Sequence, residues 1–215
     1  MFIGHYGIGL AAKKPAKTLS LGTLFLAAQW LDLIWPLFII LGIEHVALNP
    51  GDTKVTPLNF TDYPYSHSLL FVLGWSIVIG VAYFLIKKDK KNALIVGLLV
   101  LSHWILDLFV HRPDLPILIS GPYVGFGLWN LPIVELILEF GIFIIGVWLY
   151  FSTTTPKDKI GIYAPWSLVI LLALIHVINI AGPPPPDVNS IGYAGLGMWL
   201  FVIWAYWGDK HREVK

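Results

Sequence analysis

The chain of 215 residues contains no cysteine. That excludes structural disulfides, thiolate metal sites and a cysteine nucleophile. Charge is scarce too. Charged residues make up 13% of the chain, about half of the ~25% of an ordinary soluble domain. The net charge is +1, so no broad basic surface points to nucleic acid as a partner. No internal repeat of roughly 20–50 residues is visible. The start does not read as a secretory leader either. In "MFIGHYGIGLAAKK" the positive charges follow the apolar part instead of preceding it.

Apolar residues, by contrast, are plentiful. They make up 57% of the chain and the mean hydropathy is +0.75, the composition of an integral membrane protein. Ten Trp and nine Tyr suit the aromatic belts at membrane interfaces. A crossing helix needs roughly 20 mostly apolar residues, and six segments qualify: about 18–43, 67–86, 92–111, 128–151, 162–180 and 190–207. The expected fold is all-α, a polytopic membrane helix bundle forming a single integral membrane domain over 1–215. It has about six transmembrane helices plus a short N-terminal half-helix or interfacial helix. Lysines cluster in "KKPAK", "KKDKK", "TPKDK" and "DKHREVK", on alternate loops, while "AGPPPPDVNS" has none. The positive-inside rule therefore puts both termini in the cytoplasm.

Against this background the ionisable residues inside the spans stand out. A charge at the bilayer centre costs at least about 2.5–3.5 kcal/mol on insertion scales, so such groups are functional candidates by default. Asp32 lies mid-span, with Gln29 three residues earlier. His67 opens the second span. "LSHWILDLFVH" puts His103, Asp107 and His111 on the third at intervals of four, and Glu135 and Glu139 have the same relation on the fourth. Residues i and i+4 share a helix face, so His103 and Asp107 can converge on one ion. Rise per residue puts His103 about 16 Å and Asp107 about 22 Å above the cytoplasmic end of their helix, with Asp32 at a similar depth. Imidazole and carboxylate suit Zn, Mn, Fe or Mg, and several of each leave room for one or two divalent ions.

The expected metal ligands are Asp32, His67, His103 and Asp107, helped by His5 or His111. An ion held there lowers the pKa of a water toward neutrality. Glu139 or Glu135 is read as general base or orienting residue. A lone His in a span is ordinarily a helix–helix hydrogen-bond partner, and His176 is read that way. His45 and His211 are read as interfacial or solvated, and Glu44 as reaching for the membrane surface.

"GHYGIGLAA", the Asp within the next span, "YPYSHSLLF" and "LLVLSHWILDLFVH" together resemble the YdjM-like membrane-bound metal-dependent hydrolases. The matching positions are His5, Asp32, His67 with Ser68, and Ser102, His103 and Asp107. The resemblance covers roughly residues 1–115. "QWLDLIWP" has one acidic residue where the family often has two, and "YPY" replaces a His-Arg-Gly lead-in. It implies metal-dependent hydrolysis in the cytoplasmic membrane of a prokaryote without naming a bond. A site in the outer half of the bilayer suits membrane lipids or a lipid-like ester or phosphoester as substrate.

A proton- or metal-ion-coupled transporter is the alternative, since the same residue types build proton relays. A phospho-histidine lipid phosphatase lacks the Lys and Arg partners it requires. Haem ligation is disfavoured by Asp107 beside His103.

Overall fold

The computed structural model describes residues 1–215 as an all-α membrane bundle. Helix α1 (Ile3–Ala11) is a half-helix. Helices α2 (Leu21–Ala28) and α3 (Trp30–Ile40) are a pair bent by 56° at Gln29, together long and apolar enough for one span. A short turn, α4 (Pro64–His67), leads into α5 (Leu69–Lys87), which is followed by α6 (Lys90–Val110). Helices α7 (Pro132–Thr153) and α8 (Lys159–Ala181) also cross. The last crossing is α9 (Val188–Leu196) continued by α10 (Met198–Lys210). The five long helices and the one broken pair are apolar enough to span a membrane, and they follow the six apolar segments of the sequence.

The helix starts are written locally. Ser20, Ser68, Asp89, Asp158 and Asp187 each accept the backbone N–H three residues on, which satisfies an orphan donor of the first turn. The outward faces are apolar: Ile77, Ile86, Leu94, Ile133, Ile137 and Leu200 are all exposed, as lipid contact requires.

Small residues set the closest helix contacts, because apolar side chains gain little by leaving lipid for protein. Gly7 of α1 lies against Gly146 and Phe143 of α7. A Cβ on Gly7 would meet the Phe143 Cα at 2.8 Å. Both glycines are therefore required for α1 to rest backbone to backbone on α7. This contact places the first turn of α1 inside the bundle, where the Met1 amino group is buried against Asp107 at 2.6 Å.

The spacing of apolar residues does not foretell the small strands outside the spans. Strands β1 (His45–Leu48) and β2 (Leu58–Asp62) form an antiparallel hairpin. So do β3 (Leu115–Pro116) and β4 (Tyr123–Val124). At the opposite, lysine-rich end, β5 (Thr154–Pro156) pairs with β6 (Arg212–Val214) and ties the loop before α8 to the C-terminal segment.

Candidate metal centre

The bend at Gln29 begins the site. It ends α2 at Ala28, whose carbonyl, one of the unpaired last-turn acceptors of a helix, receives a hydrogen bond from His103 Nδ1 at 2.8 Å. A carbonyl only accepts, so Nδ1 carries the proton and Nε2 presents its lone pair. His67 is fixed in the same tautomer by a different route. The Ser66 hydroxyl donates to Glu44 Oε2 at 2.6 Å and has no second proton, so it accepts from His67 Nδ1 at 2.7 Å. The His67 Nε2 lone pair then faces inward as well.

Both lone pairs point at carboxylates. His103 Nε2 is 3.3 Å from Asp107 Oδ2 and 3.6 Å from Asp32 Oδ1. His67 Nε2 is 3.9 and 3.5 Å from the same two oxygens. These gaps are longer than good hydrogen bonds. They run from the edge of a coordination tetrahedron, about 3.3–3.4 Å for metal–ligand bonds of about 2.0–2.1 Å, to about half an ångström beyond it. His103 Nε2 is buried and has no hydrogen-bond partner. With both imidazoles neutral these are four inward-facing acceptors, which repel one another unless a proton or a cation sits between them. The residues fit a divalent ion, with the second ring nitrogen of each histidine tied down as metal-ligating imidazoles require.

His5 braces this set. Its Nε2 meets Asp107 Oδ1 at 3.1 Å and its ring stacks on His103 at 3.5 Å between centroids. Its ligand atoms also lie within 4.8 Å of Asp32 and His103, so it can serve as ligand or as brace. Around His67 stand Tyr63 and Trp35, with ring centroids 5.3 and 6.3 Å away. The side chains of His5, His67, His103 and Asp107 are at most 4% exposed, while that of Asp32 is 20% exposed. The centre therefore opens at Asp32.

His111, expected as a helper ligand, is turned elsewhere. Its Nδ1 meets Asp114 Oδ1 at 2.9 Å and Tyr63 Oη at 3.3 Å. Its ring packs on Trp129 at 4.2 Å and Phe60 at 4.9 Å. The physical reason is its position as the residue closing α6. There the chain turns toward Arg112, which bridges Asp114 and Asp52, each at 2.9 Å. His111 belongs to an aromatic roof and not to the ligand set.

Glu135 and Glu139 do not join the five residues around His103 either. Glu139 accepts the backbone N–H groups of Phe2 and Gly4 at 2.9 and 3.0 Å, capping the positive end of α1. Glu135, His176 and Glu139 bring their ligand atoms within 4.8 Å of one another. His176, read from sequence as a helix–helix hydrogen-bond partner, has a buried Nε2 with no partner. Glu44 is also placed differently from its sequence reading. It is 1% exposed and accepts both the Ser66 N–H and the Ser66 hydroxyl. The signal for His176 was depth. It lies 17 positions into α8, roughly 26 Å from its lysine-rich start, the far end at which Glu135 enters. Glu44 and Ser66 offered no such signal, because only folding brings the loop after α3 against α4.

The fold and this cluster define an integral membrane protein with buried His and Asp residues able to hold a metal ion. Compared with protein-family models, with curated proteins and with solved structures, the chain matches none.

Proposed function

We propose that the chain is a membrane-embedded, metal-dependent hydrolase acting on a lipid or lipid-like ester or phosphoester. The observation that carries this reading is the unpaired His103 Nε2, held in the ligand tautomer by Ala28 and facing Asp32 and Asp107. Of the positions that resemble the YdjM-like family, His5, Asp32, His67, His103 and Asp107 converge, while Ser68 caps α5 and Ser102 bonds the Leu99 carbonyl; that convergence supports the kinship. A divalent ion bound there supplies Lewis-acid activation of water.

The chain's own residues do the rest. Asp32 Oδ1 faces the two histidines, and its side chain, 20% exposed, is the most open of the set, so its carboxylate is the one that would accept a proton from a water activated there. His5 and the Met1 amino group hold Asp107 through Oδ1, keeping Oδ2 toward His103 and His67, the residues that would hold an ion with it. Tyr63 and Trp35 pack against His67 and exclude bulk water. With lysine-rich loops on the cytoplasmic side, the protein sits in the cytoplasmic membrane of a prokaryote, with the Lys13 end of α1 and the C-terminal segment toward the cytoplasm; the centre lies in the outer half, and the Met1 amino group, expected from the sequence on the cytoplasmic side, is buried against it.

One observation favours the transporter reading. His103 belongs to two adjoining triads, one with His5 and Asp32 and one with His67 and Asp107, and a row of buried imidazoles and carboxylates of this kind also builds ion and proton relays. The experiment therefore has two arms. Purified protein and its His103→Ala and Asp107→Ala variants are analysed for metal, and the native protein is given phospholipid vesicles. Bound metal lost in both variants, with lipid hydrolysis that a chelator stops, is the expected result. Equal, negligible metal in all three proteins sinks the metal centre. Metal-dependent ion flux without hydrolysis replaces the hydrolase with the transporter.

A further inference from the structure

We infer that Glu135, Glu139 and His176 form a second divalent-cation site, on the other side of the first turn of α1 from the His103 centre. The two sites share that turn. Met1 N bonds Asp107, while Phe2 N and Gly4 N bond Glu139, and the Phe2 ring stacks on His176 at 6.2 Å between centroids.

Three observations point to a ligand. Glu135 is 1% exposed, and neither of its oxygens has a hydrogen-bond partner. His176 is 3% exposed with its Nε2 equally unpartnered. The ligand atoms of these two residues and Glu139 lie within 4.8 Å of one another. Two carboxylates a helical turn apart in a dry interior repel unless a proton or a cation sits between them. A single proton can link the two carboxyl groups but leaves the buried imidazole Nε2 without a partner. A divalent ion answers all three. Two carboxylates and one imidazole make a borderline-hard donor set, suited to Zn, Mn or Fe. Glu139 is already braced by two amides and oriented toward the ion. Glu135, in the first turn of α7, gains from the positive end of that helix.

The test is a count of ions on the full-length chain in detergent, dialysed against Mn²⁺ or Zn²⁺. The variants are Glu135→Gln, His176→Gln and the His103→Ala/Asp107→Ala pair. The inference expects two ions per chain in the native protein and one in Glu135→Gln and in His176→Gln. The paired variant then keeps one. A native count of one, abolished by the paired variant and unchanged in Glu135→Gln, means that the second cluster holds only a proton and overturns the inference while leaving the first centre intact. Should the Gln variants fail to fold, Mn²⁺ titration of native protein followed by electron paramagnetic resonance decides. Two bound populations support the site and one overturns it.

Discussion

The two ends of the bundle bury charge in opposite ways. At the lysine-rich end, Lys13 Nζ donates to Asp209 Oδ2 at 2.8 Å and to the Leu19 carbonyl at 2.6 Å. Tyr150 donates to Asp209 Oδ1 at 2.8 Å, and Leu21 N donates to Oδ2 at 3.0 Å. Arg212 spends its guanidinium on Thr154 and Gly161 and lies over the Phe151 ring at 4.8 Å. Each of these charged side chains has a partner. At the other end, His103 Nε2, His5 Nδ1, Glu135 Oε1 and Oε2 and His176 Nε2 are buried with none. Charged and ionisable side chains are buried at both ends, so burial alone does not mark a site. Saturation does: a charge network that answers itself holds helices together, while one that leaves acceptors facing each other is shaped around something else.

The largest expected effect breaks the saturated end. Lys13→Met leaves Asp209 buried without its cation, and removing one partner of a buried pair costs about 3–5 kcal/mol. Thermal unfolding in detergent should show this loss with the metal content unchanged. Loss of metal together with stability in Lys13→Met would mean that the two ends are not separate devices.

Next comes chelation, which should act only on the unsaturated end. An ion present at a hundred times its dissociation constant stabilises the folded state by about 2.7 kcal/mol. Stripping it should lower the melting temperature of the native protein and of Lys13→Met alike. Asp107→Ala should not respond in the part owed to the His103 centre.

A smaller effect belongs to the residues behind the ligands. Glu44→Gln and Ser66→Ala both leave all four donors in place; Ser66→Ala removes the acceptor of His67 Nδ1–H, and Glu44→Gln replaces the carboxylate that orients the Ser66 hydroxyl. Losses of such supporting groups typically weaken metal affinity by about 10–100-fold. Competition with a chelating dye measures this. Unchanged affinity in both variants would demote the Glu44–Ser66–His67 chain to packing.

Much of this architecture was legible before folding, and the illegible parts share a cause. Hydropathy located the six crossings because each is a long, local run. The i, i+4 rule paired His103 with Asp107 because both lie on one helix. What it could not give is where other chain segments arrive. The run 21–40 contains no glycine or proline at the bend, so nothing local announces the 56° turn at Gln29 or the Ala28 carbonyl it exposes to His103. His111 continues the row of His103 and Asp107 in sequence, yet α6 ends just before it and the row ends too. Glu44 and His176 acquire their meaning only from partners more than twenty residues away.

The exposed rim gives the smallest effect and completes the contrast. Asp158 caps α8 through the Gly161 N–H at 2.9 Å and pairs with His211 at 2.7 Å. The Gly161 amide, and then His211, hold its carboxyl below the usual carboxylate range. Because the folded-state pKa lies beneath the unfolded value of 3.8, its contribution is present above that pH and is lost as acid carries the folded group through its own pKa. Asp158→Ala should therefore lower the melting temperature slightly at neutral pH, and the difference from native protein should vanish in strong acid. Metal content should not change at all. A melting difference that persists undiminished in strong acid would show that Asp158 acts through packing and not through its charge.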